Sequence, residues 1–136
     1  MTMEQNIRAR LAGTSGVYSL VGGQAAPRIF PETRAQDSSL PCIVFSTNNE
    51  EAMMSLAGEK ARKADLEIVA VAVTKAAAIN IADAVIACLD GYSGTAGGTT
   101  VNHSLHSRSV TAYQAPEGGE TTGVFLHTTV FSVMYQ

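Results

Sequence analysis

Apolar residues recur at helical spacing in two stretches of the chain. Residues 3–12, MEQNIRARLA, are good helix formers and place Ile7 and Leu11 four positions apart. In residues 75–90, apolar side chains recur every three or four positions, and the preceding Thr74 can cap the first turn. These apolar positions are Ala78, Ile81, Ala82, Val85, Ile86 and Leu89. The pattern therefore predicts a short first helix and a long later one.

Four other stretches alternate apolar and polar residues or are rich in β-branched and aromatic types, which is typical of strands. They are about 41–48, 62–73, 100–114 and 122–135. The order of elements predicts an α+β domain over residues 1–136, with a roughly four-stranded sheet made of two antiparallel hairpins. We expect the long helix, which lies between the hairpins in sequence, to pack on this sheet. A second helical turn is expected at 17–21.

The connection within the first predicted hairpin is long and mostly polar. It contains no two-residue turn signal, so we expect a mobile tip at about 49–62. Three apolar side chains lie within this connection, and a loop has no core of its own in which to bury them. We take them, with two neighbouring carboxylates, as a candidate interface with another protein subunit. The candidate residues are Met53, Met54, Leu56, Glu50 and Glu51. A mobile loop without any contact is the alternative.

Composition and charge narrow the class of protein. The chain has 136 residues, 46% of them hydrophobic, and a formal net charge of −3. These values are typical of one globular domain. The chain lacks the excess of positive charge that is typical of proteins that bind nucleic acid tightly. No apolar run approaches the length of a membrane span. The N-terminus lacks the apolar core of a signal peptide, and both cysteines lie within apolar patterns, so we expect a reducing cytoplasm.

The candidate residues for chemistry do not converge. His103 and His106 lie three positions apart on a predicted strand and should therefore point to opposite faces, away from a shared metal. Cys42, Cys88 and His127 are the other potential ligands. No nucleophile stands in a strained G-x-S-x-G turn, and no carboxylate pair is marked out. We predict no catalytic centre, no cofactor and no metal, while an enzyme that uses the three histidines remains an open alternative.

The whole pattern resembles the tail-completion proteins of long-tailed bacteriophages and prophages. The resemblance runs through "IRARLAG", "VYSLVGG", "RIFPETRAQDSSLPCIVFS", "DLEIVAVAV" and "AAAINIADAVIACLDG". Its most specific part is Arg28, Ile29, Phe30 and Pro31, followed by Pro41 and an aromatic-aliphatic strand. The loop "GQAAP" at 23–27 is longer than this family needs. Tail terminators and tail-to-head joining proteins are members.

This resemblance implies structural work in the virion. Proteins of this kind form a ring, commonly six-fold, that caps the tail tube and presents a surface to the head. The expected partners are copies of the chain itself, the tail tube protein and a head-completion or connector protein. DNA passes through the bore without specific binding, and the location is the tail-to-head junction of a particle made in the bacterial cytoplasm. A small non-enzymatic binding module without ring formation is the alternative.

The two prolines of the motif suggest how the intervening segment behaves. Pro31 and Pro41 fix φ and bias the preceding residues toward extended backbone. We expect the segment between them to cross the domain as an ordered extended connection without joining a sheet ladder. Its backbone polar groups would then be available to a neighbouring subunit. A connector that merely links helix to sheet is the alternative.

Overall fold

A computed structural model describes residues 3–25, 27–31, 40–54, 60–96, 99–115 and 123–136. Three helices and six strands are formed by these residues. They are α1 (Met3–Ala12), α2 (Ser15–Tyr18), β1 (Ile29–Pro31), β2 (Cys42–Met54), β3 (Lys60–Ala72), α3 (Lys75–Leu89), β4 (Gly94–Ala96), β5 (Thr99–Gln114) and β6 (Val124–Tyr135). The predicted α+β class, the first helix at 3–12 and the long helix are confirmed.

The six strands form one sheet in the order β1-β2-β3-β6-β5-β4. Strands β1 and β2 are parallel, and every other neighbouring pair is antiparallel. The two predicted hairpins are β2–β3 and β5–β6, and they join side by side through β3 and β6. The predicted sheet of about four strands lacked β1 and β4. These two strands have three residues each and lie at the two ends of the sheet.

The core lies between the helices and one face of this sheet. Strand positions alternate between faces, and the positions on the core face include Ile43, Leu66, Ile68 and Phe131, all almost fully buried. The three helices contribute their own buried residues to the same cluster, including Ile7, Leu11, Val17, Ile81, Val85 and Leu89. Removing these apolar surfaces from water is the main stabilising term of the fold.

The long helix α3 begins and ends at recognisable signals. The Thr74 side chain accepts a hydrogen bond from the Ala77 amide at 3.2 Å, which satisfies one of the free N–H groups of the first turn. At the other end, Gly91 adopts φ 77°, a left-handed conformation that suits glycine just after a helix. The predicted buried stripe is confirmed at Leu89, and Ile86 is partly buried against the core.

A buried asparagine joins α1 to the far end of the sheet. The Asn6 side-chain amide donates to the carbonyl oxygens of Thr99 at 2.9 Å and Gly94 at 3.3 Å, and its oxygen accepts from the Tyr92 hydroxyl at 2.8 Å. Residues 94–96 are therefore held as strand β4.

The proline motif brings its two ends together. The Arg28 side chain donates from Nε to the Pro41 carbonyl oxygen at 2.8 Å, and the Ile43 amide donates to the Arg28 carbonyl oxygen at 2.9 Å. Pro31 pairs with Phe45 as part of β1, so the sheet ladder reaches the first proline of the motif. The extended connection expected between the two prolines falls on residues 32–39, which lie outside the described part of the chain.

In the described part of the chain, no helix is both long enough and apolar enough to cross a membrane.

Candidate assembly surface

The first hairpin is a β-ladder almost to its tip. Residues 51–54 of β2 pair with 60–63 of β3, and a bulge interrupts the register between Asn48 and Glu51. At the bulge, Asn49 takes a positive φ of 54°, and its side-chain amide donates to the Asp65 carboxylate at 3.0 Å. The expected mobile tip at 49–62 is therefore wrong for 49–54 and 60–62. Its remaining residues, 55–59, are not described.

A tyrosine from the last strand reaches over β3 to the same hairpin. Tyr135 pairs with Arg62 of β3, and Arg62 pairs with Ala52 of β2. The Tyr135 hydroxyl donates a hydrogen bond to Oε1 of Glu50. Burial, and then the Glu50 carboxylate, raise the pKa of Tyr135 to about 12, although the nearby Arg62 acts in the opposite direction.

The predicted interface residues thus lie in different settings. Glu50 bonds to Tyr135, whereas Glu51 is exposed and pairs in the ladder with Lys63. Met53 and Met54 belong to the last residues of β2, and Leu56 lies outside the described residues. The hairpin places the two carboxylates and the two methionines on one strand. Their role at an interface remains a prediction.

The histidines do not gather at one point. His103 and His106 are exposed on β5, and His127 lies on β6 beside Thr111, whose Oγ1 is 2.6 Å from its Nδ1. Nowhere in the described ranges do three or more His, Cys, Asp or Glu side chains come together as a metal site would require.

A histidine and a serine on the surface of β5 form a pair that resembles part of a hydrolase active site. His106 Nε2 lies 2.9 Å from Ser109 Oγ, and Asp90 is nearby. The Asp90 carboxylate, however, accepts from the backbone amide of His106 at 3.0 Å, not from its ring. A catalytic triad needs the carboxylate on the imidazole, where it holds the tautomer and orientation. This arrangement therefore lacks the link that would activate the serine.

Sequence reasoning missed a second surface, on the outer part of β5. Leu105, Val110 and Tyr113 are large hydrophobic residues of β5 that are 44%, 62% and 58% exposed, and all residues from 105 to 110 are exposed. The prediction of a strand at 100–114 is confirmed. The pattern did not indicate that β5 lies next to the end of the sheet. Among the described residues, the only strand on its outer side is the three-residue β4.

Comparison with known proteins identifies the family of the chain. The model of the family described as tail completion protein gp17 matches residues 5–130. The chain belongs to this family. The tail-completion resemblance seen in the sequence is therefore confirmed, and family membership gives the chain a structural role in phage tail assembly.

A solved virion contains a protein of similar fold. The structure is described as the virion of a native gene transfer agent particle, and one of its chains aligns with 96% of this chain and 92% of its own length. The TM-score is 0.66 and the identity 14%, so the likeness shows a shared fold. No curated protein matches the chain.

Proposed function

We propose that this tail completion protein assembles into a ring, of six copies when complete, that caps the tail tube and joins it to the head. The family match over 5–130 is the observation that carries the proposal. The fold shared with a chain of a virion over almost its full length supports it. The protein acts without catalysis, cofactor or metal, at the tail-to-head junction.

The partners follow from this position. One side of the ring binds the last tube ring, and the other binds a head-completion or connector protein. DNA crosses the bore at ejection without specific contacts. The net charge of −3 suits such passage, because a lumen that attracted phosphates would retain DNA through many released counterions.

The β2–β3 hairpin supplies one contact of this ring. Its end carries Glu50 and Glu51 on β2, followed by the apolar Met53, Met54 and Leu56. Methionine adapts to irregular partner surfaces, and exposed apolar clusters mark interaction sites. Burial of this cluster against a neighbouring copy or the tube stabilises the assembly.

Microscopy tests the capping function directly. Negative-stain images of purified tail tubes should show an added ring at one end only when the protein is present. Particles made without it should carry tails of abnormal length or tails unattached to heads. Normal tails joined to heads in its absence would contradict the proposal, and a protein that binds tubes only as single copies would favour the binding module without a ring.

A triple variant tests the hairpin contact. Changing Met53, Met54 and Leu56 together to serine should leave the thermal midpoint of the subunit nearly unchanged and weaken capping. Val73→Ser is the matched control, because Val73 is 48% exposed and lies outside the hairpin. An equal loss of subunit stability would place the three residues in the core. Normal capping by a folded triple variant would remove them from the interface.

A further inference from the structure

The two long strands nearest the ends of the sheet each have an outer edge that the described residues leave partly unpaired. Strand β1 covers β2 only at 43–45, and β4 covers β5 only at 99–101. The end of α3 covers β5 a little further, where the Gly91 amide donates to the Ser104 carbonyl oxygen at 2.7 Å. Among the described residues, no strand pairs with the outer edge of β2 over 46–52 or of β5 over 108–114. Such edges present backbone N–H and C=O groups ready to pair.

The β5 edge carries few of the features that protect a free edge. Proteins usually guard such strands with proline, lysine, inward charges or bulges, or by making them short. Strand β5 has 16 residues, contains no proline, lysine or acidic residue, and has Arg108 as its single arginine. Its register shifts lie at 101–103 and 106–108, and its pairing with β6 is regular over 108–114. Val110 and Tyr113 are the most exposed of its large apolar residues. An edge of this length and composition favours pairing with another strand.

The directions of the two strands suit pairing between identical copies. Strands β2, β3, β6 and β5 are antiparallel at each step, so β2 and β5 run in opposite directions within one sheet. When a second copy stands beside the first in the same orientation, its β2 runs antiparallel to the first copy's β5. The combined sheet then continues the alternation without a break.

The charges of the two edges are complementary. Strand β2 contains Glu50 and Glu51 and no basic residue, whereas β5 contains a basic residue and no acidic one. The pairings place Glu51 level with Lys63, Met134 and His103, and Arg108 level with Val130 and Glu67. Both sets lie on the face opposite the helices. A β5–β2 ladder between copies can therefore bring Arg108 against Glu51, a favourable cross-strand pair.

We infer that the β5 edge at 108–114 of one copy pairs with the β2 edge at 46–52 of the next, with Arg108 beside Glu51. The occupant of each edge is a second copy of this chain, and the contact is heterologous, so it repeats around a ring. This inference deepens the ring of the proposed function and rests on it. It gives that ring a continuous sheet as its main contact.

The positions of the open edges also favour closure. Within one copy, Arg108 is level with Glu67 and Ser46, whereas Glu51 is level with Lys63, four residues from Glu67 along β3. Setting Arg108 beside Glu51 of the next copy therefore shifts each copy by about four ladder positions, roughly 13 Å, along the strands. Four strands are roughly 19 Å wide. The resulting strand tilt of about 35° lies at the lower end of the range of closed barrels, which need such a stagger.

Cysteine cross-linking tests the contact. Glu51→Cys combined with Arg108→Cys should give, under oxidation in the presence of tail tubes, disulfide-linked multimers up to the size of the ring. Each single variant should give dimers at most. Glu51→Cys with Asp83→Cys is the control pair, because Asp83 is exposed on α3 and belongs to neither of the paired strands. Native Cys42 and Cys88 are buried.

A single substitution gives an independent measure. Val110→Lys places a protective lysine on the β5 edge and should weaken association about tenfold or more. The subunit's thermal midpoint should change little, because Val110 is 62% exposed. Val73→Lys, at a similarly exposed valine outside the edge, should assemble as the wild type does.

The outcomes separate this inference from the proposed function. Rings on tubes that form with Val110→Lys, or that do not cross-link through Glu51→Cys and Arg108→Cys, would overturn the edge pairing and leave the capping function standing. If the wild-type protein forms no multimer on tubes, both fail. Multimers that cross-link without capping tubes would support the edge pairing and overturn the function.

Discussion

At the scale of single residues, the contact between Tyr135 and Glu50 ties the last strand to the first hairpin. The hydroxyl reaches over β3, so one hydrogen bond spans three strands of the sheet. Its energy depends on the tyrosine staying protonated, because the hydroxyl is the donor and the carboxylate can only accept. The pKa of about 12 shows how strongly this setting disfavours the tyrosinate.

Replacing Tyr135 with phenylalanine should flatten the alkaline limb of the stability curve. Below pH 10 the hydroxyl is protonated in the folded and unfolded chains alike. Between pH 10 and about 12 the unfolded chain loses this proton first, so the free energy of unfolding of the wild type falls over this range. Denaturant unfolding at pH 9 to 12 should show a smaller fall for Tyr135→Phe.

A carboxylate variant serves as the control for this measurement. Glu50→Gln keeps the tyrosine and removes the negative charge, so it should lessen the fall only in part, because burial is the larger cause of the raised pKa. Wild-type and Tyr135→Phe curves that stay parallel over this range would contradict the assignment.

At the scale of elements, the long helix and the short strands differ in how clearly the sequence predicts them. The helix α3 was predictable because its stripe recurs over four turns and Thr74 caps it, and both signals are local. Strands β1 and β4 have three residues each, too few to show a period, and they exist because of partners at 43–45 and 99–101. Such pairing is set by tertiary contacts that composition does not reveal.

The hairpin was misjudged for a related reason. Residues 48–51, NNEE, are polar, and polarity indicates contact with water, not the absence of a ladder. An antiparallel pair can continue past the core with its side chains solvated. The exposed residues on β5 were visible in the sequence, but an interface there depends on which strand ends the sheet. That order is a property of the topology.

An aspartate on the buried side of α3 tests the importance of this helix. Leu89 is fully buried, and Leu89→Asp would place an unpaired charge in the core, at a cost of several kcal/mol. This approaches the whole stability of a typical domain. The variant should be unfolded or insoluble, as judged by circular dichroism and thermal melting.

A neighbouring position provides the matched control. Ala87 is exposed on the same helix, so Ala87→Asp introduces the same charge on its solvent side and should cost only about 1 kcal/mol, from the helix dipole and the lower helix propensity of Asp. A soluble Leu89→Asp protein with a wild-type melting transition would show that α3 does not present this side to the core.

At the scale of the whole molecule, the sheet has one face covered by helices and two edges that the described residues leave partly unpaired. This architecture suits a subunit whose sheet is extended by the strands of neighbouring subunits. A catalytic protein, by contrast, needs a concave site with convergent polar groups. Tail assembly should therefore depend on edges and hairpins and be insensitive to the histidines.

Replacing His103 and His106 together with alanine tests this expectation. Both side chains are exposed, so folding should be nearly unchanged. The yield of infectious particles should equal that of the wild type. The Val110→Lys variant, on the same strand, provides the positive control for lost assembly. A folded double-alanine protein that yields no infectious particles would revive the enzymatic alternative.

The burial of both sulfur atoms affects how the finished particle ages. Cys42 is fully buried, and Cys88 lies under the end of α1 with Sγ 3.2 Å from Thr14 Oγ1. The chain has no other cysteine. Oxidation of thiols requires access to them. A tail that leaves the reducing interior of a cell therefore carries this component into an oxidising medium with no thiol at its surface to be oxidised or cross-linked.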